Sequence, residues 1–124
     1  MKIVLVCGGR DYDDVDLITI VLDNLRIEFG TLFIVQGGAK GADLLARKYA
    51  IANGLPCATV HANWGFYGPT AGPIRNGWML GLNIDVVIAF FGGRGTADMV
   101  RRAKSAGIEV REITDEAVRQ HSPI

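Results

Sequence analysis

Phe90-Phe91-Gly92-Gly93-Arg94-Gly95-Thr96-Ala97-Asp98 joins the end of an apolar run to the start of a helical pattern through glycines. Val86 to Phe91 suits a strand buried on both faces, and Gly92, Gly93 and Gly95 remove the side chains that would keep a ligand off the backbone. Thr96 is a good N-cap residue, with Asp98 in the first turn. A helix starting there directs unpaired N–H groups and the positive end of its dipole beyond the strand, which favours phosphate. A strand-to-helix turn with no ligand explains one such stretch equally well. Two further glycine turns of the same kind occur upstream.

The run Lys2 to Cys7 stops at Gly8-Gly9-Arg10-Asp11, the first of them. Asp13 or Asp14 can cap the helix that follows, whose Ile18, Val21, Leu22, Leu25 and Phe29 share one face, and Gly30 ends it. A second strand, Leu32 to Val35, leads into Gln36-Gly37-Gly38-Ala39-Lys40-Gly41-Ala42-Asp43 and a helix with Leu45, Ala46, Tyr49 and Ala50 inward, stopped at Gly54 and Pro56. The third strand, Cys57 to His61, opens a long loop from Ala62 to Gly72 that carries Trp64, Phe66 and Tyr67. Pro73 suits the first turn of a short helix containing Arg75, Asn76, Trp78 and Met79, which Gly77 and Gly81 weaken. After the fourth strand, a helix closed by Gly107 places Met99, Val100, Ala103 and Ala106 inward and Arg101, Arg102 and Lys104 outward. Ile108 to Ile113 reads as a fifth, polar edge strand.

The alternation predicts one α/β domain over residues 1–113, with a polar tail over 114–124 of one helical turn and then disorder. Its five-stranded parallel sheet has helices on both faces and the order 3-2-1-4-5. In that order the winding reverses between strands one and four, where ligands bind beyond the carboxyl ends of the strands. All three glycine turns therefore converge on one crevice. The formal net charge of zero gives no general attraction to nucleic acid or to acidic membranes. Cys7 and Cys57 fall in strands without metal-ligand spacing, so neither a metal nor a cofactor is expected. The opening apolar run is too short for a signal peptide or a membrane span, and the expected location is cytoplasmic.

No GxGxxG follows the first strand, and Lys40 precedes Gly41 where a P-loop lysine would precede Ser or Thr. Dinucleotide redox chemistry and P-loop ATPase chemistry both lose ground. The candidate ligand-binding residues are Gly8, Gly9, Arg10 and Asp11 in the first turn, Gly37, Gly38, Lys40, Gly41 and Asp43 in the second, Gly92, Gly93, Arg94, Gly95 and Thr96 in the third, and Trp64, Arg75 and Asn76 between. Arg75 can hold phosphate bidentately or lie on the surface. Lys40 can neutralise phosphate, while Asp43 can accept a ribose hydroxyl or cap its own helix. Arg10 and Asp11 are ligand groups or a surface ion pair. Trp64, Phe66 and Tyr67 can stack a base, form a dimer contact or fill the core. His61 and Cys7 read as structural residues, and Arg101, Arg102 and Lys104 as a solvated helix face.

Taken together, Gly8-Gly9-Arg10-Asp11, Gln36 to Asp43, Ala71-Gly72-Pro73-Ile74-Arg75-Asn76 and Gly92 to Asp98 resemble the YspA/YpsA-related branch of the SLOG superfamily, whose relatives include DprA and the LOG phosphoribohydrolases. The resemblance covers nearly the whole chain. It implies a Rossmann-like domain that binds a nucleotide or an ADP-ribose-like ligand, often as a homodimer. The phosphoribohydrolases carry Pro-Gly-Gly-x-Gly-Thr-x-x-Glu; here Phe91 replaces the proline and Met99 stands at the catalytic glutamate. Asp98 is one residue away, a turn of 100 degrees on a helix. Arg75, Asn76 and Met79 match the family's Arg-Lys-x-x-Met motif more closely, so Arg75 and Asp98 are the catalytic candidates the resemblance leaves. An arginine without its acid suggests a binding module, a sensor or a sequestering protein, ahead of an N-glycosidase. Single-strand nucleic-acid binding, as in DprA relatives, is the third reading, and the zero net charge opposes it.

Overall fold

The computed structural model describes residues 1–114; from residue 115 on, the expected tail lies outside the described residues. Strands β1 (Lys2–Cys7), β2 (Leu32–Gln36), β3 (Cys57–Thr59), β4 (Val86–Ala89) and β5 (Glu109–Glu112) form one sheet in the order β3-β2-β1-β4-β5. All four pairings are parallel. The helices between them are α1 (Val15–Phe29), α2 (Ala42–Ala52), α3 (Trp64–Tyr67), α4 (Ala71–Leu80) and α5 (Arg94–Ser105).

Strand alternation divides the core in two. Val4, Val6, Ile34, Val86 and Ile88 pack with Leu17, Ile18, Leu22, Ala46 and Ala50, so α1 and α2 cover one face. Leu5, Cys7, Val35, Val87 and Ala89 pack with Met79, Met99 and Ala103, so α4 and α5 cover the other. Uninterrupted apolar strands are what a sheet covered on both sides requires. At the β5 edge, Arg111 forks onto both Glu28 oxygens at 2.8 and 2.7 Å and lies over the Phe29 ring.

Three local expectations shift. The loop after β3 contains α3, capped by Asn63 Oδ1 accepting from Phe66 N at 3.0 Å, and a 3-10 turn over Gly68–Thr70 that runs into α4 at Ala71. Pro73 falls in the first turn of α4, where a fixed helical φ is tolerated. Second, α5 starts at Arg94 with Gly93 as its N-cap residue, so Thr96 sits inside the first turn and does not cap. Third, α5 ends at Ser105, which leaves Ala106 exposed.

The turns at the carboxyl ends of the strands are held against one another by backbone. Gly9 N donates to Phe91 O at 2.9 Å, and Gly9 O accepts from Ala42 N at 3.3 Å and Tyr12 N at 3.2 Å. Gly41 has φ +80°, and a Cβ there would collide with Gly9 O and the Arg10 carbonyl. Gly93, by contrast, has φ −101° and open space around it. Gly41→Ala should therefore destabilise the fold by about 3 kcal/mol or more, backbone strain adding to a backbone collision, whereas Gly93→Ser should stay within about 1 kcal/mol. Urea unfolding midpoints of the two variants test this; equal midpoints would refute it.

Candidate functional site

An open cleft of about 1170 Å³ lies at the carboxyl ends of β1 and β4. Gly8, Gly9, Arg10, Asp11, Asp43, Trp64, Arg75, Asn76, Gly92, Gly93, Arg94, Gly95 and Thr96 line it, as does Asp98. Gly37, Gly38, Lys40 and Gly41 are not among its lining residues; Ala39 represents the second turn there.

The second turn instead closes on itself. Asp43 Oδ2 accepts from Gly37 N at 3.1 Å and Ala39 N at 3.2 Å. Only 6% exposed, Asp43 has its pKa raised by burial, which outweighs the two amides and the nearby Arg75 charge. Gln36 Oε1 accepts from Gly38 N, and its Nε2 donates to Thr59 Oγ1, tying the turn to β3. A Cβ on Gly37 would strike the Arg75 guanidinium, and one on Gly38 would strike His61. These glycines make room for neighbouring side chains.

Arg75 comes from α4. Its Nη1 donates to Gly37 O at 2.7 Å and its Nε to Asn76 Oδ1 at 3.2 Å, leaving Nη2 without a hydrogen-bond partner among the described residues. Burial lowers its pKa, and Asp43 opposes that shift. Asn76, 4% exposed, uses its Nδ2 to reach Gly95 O at 3.2 Å and Asp98 Oδ2 at 3.0 Å. One buried amide thus links Arg75, the glycine turn after β4 and Asp98.

Thr96 Oγ1 packs against Gly92, where any Cβ would collide with it and would lie 2.7 Å from Gly9 N. The first turn of α5 has no side-chain cap and no acidic residue. Its early N–H groups have no intrahelical acceptor. On the rim, Arg10 lies 5.6 Å from the Trp64 ring centre. Cys7, beneath the first turn, has its thiol pushed up to about 12 by burial and stays protonated, so it is not a nucleophile.

The two positions at which the chain departs from the phosphoribohydrolase motif have different surroundings. Met99 is fully buried in the α4–α5 half of the core, so a carboxylate at that position would enter apolar packing and not the cleft. Phe91 lines the cleft and is exposed, although it continues an apolar strand in sequence. β4 ends at Ala89, so Phe91 lies past the strand, and its place directly before Gly92 was the available signal.

Asp98 accepts from Asn76, from Arg102 Nε at 2.9 Å and from Arg101 Nη2. Burial alone would raise its pKa; these hydrogen bonds outweigh burial and hold it below the ordinary carboxylate range. A folded-state pKa below the unfolded value means the stabilisation is complete above the unfolded pKa and is lost as pH falls through the folded one. Asp98→Asn should therefore melt below the wild type at neutral pH, with the gap closing below about pH 4. A gap that persists in melting curves at the acid end would contradict this.

A model of the YAcAr family, described as the YspA, cpYpsA-related SLOG family, matches residues 2–67, the span from β1 through α3. The gene 61 protein of Mycobacterium phage D29 is 35% identical over 123 residues, covering 93% of this chain and 98% of that protein. Among solved structures, MurG of Acinetobacter baumannii superposes with a TM-score of 0.57 at 13% identity, over 99% of this chain and 40% of MurG. That likeness is one of fold alone, and the chain spans well under half of MurG. With a family model covering more than half of the sequence, and the parallel sheet and glycine turns it accompanies, the chain belongs to the YspA, cpYpsA-related SLOG family.

Proposed function

We propose that the cleft binds a nucleotide or a nucleotide-derived, ADP-ribose-like ligand, and that the protein works as a sensor or sequestering module in the cytoplasm. The observation that carries this reading is the uncapped start of α5 opening into a cleft that also holds Arg75. Phosphate oxygens would accept from the N–H groups of Arg94, Gly95 and Thr96 and from the Thr96 hydroxyl. Arg75 Nη2 adds a charge-assisted donor, oriented because Nη1 and Nε are already anchored. Gly93 and Gly95, with open space where a side chain would stand, let the ligand approach the backbone, and Asp11 on the rim is an acceptor for a ribose hydroxyl.

Cleavage of an N-glycosidic bond is the second reading, favoured by the presence of Asp98 in the cleft. A carboxylate held ionised can stabilise a developing oxocarbenium charge. Both of its oxygens are already engaged, however, and Met99 offers no second acid. The zero net charge lends no support to a nucleic-acid partner.

Titration calorimetry with AMP tests the binding reading. Arg75→Ala should weaken binding by about 1.5 to 3 kcal/mol, the worth of hydrogen bonds to a charged group, and Gly93→Val should weaken it while leaving the protein folded. Intact AMP after prolonged incubation is the expected companion result. Release of free base by the wild type, abolished in Asp98→Asn, would replace the binder with the hydrolase.

The proposal includes a homodimer. Phe66 and Trp78 are exposed, and Tyr67 meets both edge-on at centroid distances of 4.8 and 6.0 Å, an aromatic surface of the kind interfaces favour. Sedimentation should give twice the chain mass, and Trp78→Glu should return the monomer. A wild-type monomer at high micromolar concentration would remove this part of the proposal.

A further inference from the structure

Phe91 is the most exposed large apolar side chain among the described residues, at 83%. It is also a wall of the cleft. Of Trp64, Phe66 and Tyr67, which the sequence offers for stacking a base, Trp64 alone lines the cleft, but its ring already has the Arg10 guanidinium over it and would touch any side chain on Gly72. The Phe91 ring has neither an aromatic nor a cationic partner among the described residues. Its backbone is nonetheless fixed. Phe91 O accepts from Gly9 N at 2.9 Å, and the preceding Phe90 is buried in the core.

We propose that Phe91 is the platform on which the aromatic base of the ligand stacks. This inference rests on the nucleotide-binding reading above and names the part of the ligand that is recognised. Only Gly92 and Gly93 separate Phe91 from Arg94, the first residue of α5, so their Cα atoms lie at most about 11 Å apart. A ribose joining a phosphate at α5 to a ring at Phe91 spans that kind of gap. A flat π-face offers stacking to any base and so selects for the presence of a base, not its identity. The anchored backbone presents the ring ready-made, which limits the entropy lost on binding.

The test compares AMP with ribose 5-phosphate, which carries the same phosphate and sugar and no base, by calorimetry on wild type, Phe91→Ala and Phe91→Trp. Phe91→Ala should bind AMP about tenfold or more weakly and ribose 5-phosphate within about twofold of wild type, whereas Phe91→Trp should keep AMP affinity. Equal losses for both ligands, or unchanged AMP affinity in Phe91→Ala, would overturn the assignment. Unchanged affinity together with a shift from dimer to monomer would also overturn it, by giving the ring to a protein interface. If wild type binds ribose 5-phosphate as tightly as AMP, the phosphate site stands and the platform falls. If it binds neither, the nucleotide-binding reading itself fails and takes the platform with it.

Discussion

The backbone N–H and C=O of Gly9 hold the turns at the top of the sheet together. The N–H is bonded to the turn after β4, and the carbonyl to the turns that open α1 and α2. Three backbone segments can meet at one residue only where side chains are absent, which is why Gly41 and Gly92 face it directly. Backbone donors and acceptors buried in such a junction must pair, and here they pair with each other. The cleft is the space left beyond this junction, and glycines of the first and third turns form part of its floor.

Around that floor the charges divide by origin. Arg75 and Asp98 reach the cleft from the α4–α5 side and are joined through Asn76, whereas Arg10 and Asp11 belong to the turn leading to α1. Asp43 lies between them, with its carboxylate spent on the amides of its own turn. This distribution leaves the first turn of α5 without an acidic residue or a side-chain cap.

Much of this architecture was legible in the residues. Strand order followed from the repeated strand-helix units and the fixed hand of their crossovers, and β1 and β4 were unmistakable because both faces of each are apolar. What stayed hidden was how the glycines are used. Gly37 clears room for Arg75 and Gly41 for Gly9, yet in sequence each looks the same as a glycine that bares backbone to a ligand. The α5 cap was misplaced for a related reason: Thr96 has the right chemistry for an N-cap, but its hydroxyl fills the space over Gly92, and the helix begins two residues earlier. In the loop after β3, Asn63 caps a single helical turn that periodicity over so few residues cannot reveal.

The two ends of the sheet bear on how the protein can associate. β5 carries Glu109, Arg111 and Glu112, and Arg111 is clamped by Glu28 from α1 and Glu109 from its own strand. A foreign strand docking there would have to desolvate those charges, and at the opposite end β3 offers only three residues to pair with. Strand addition is thereby disfavoured at both ends, so any association between copies falls to side-chain packing between helical surfaces, which can close at a defined number of copies where strand addition would not.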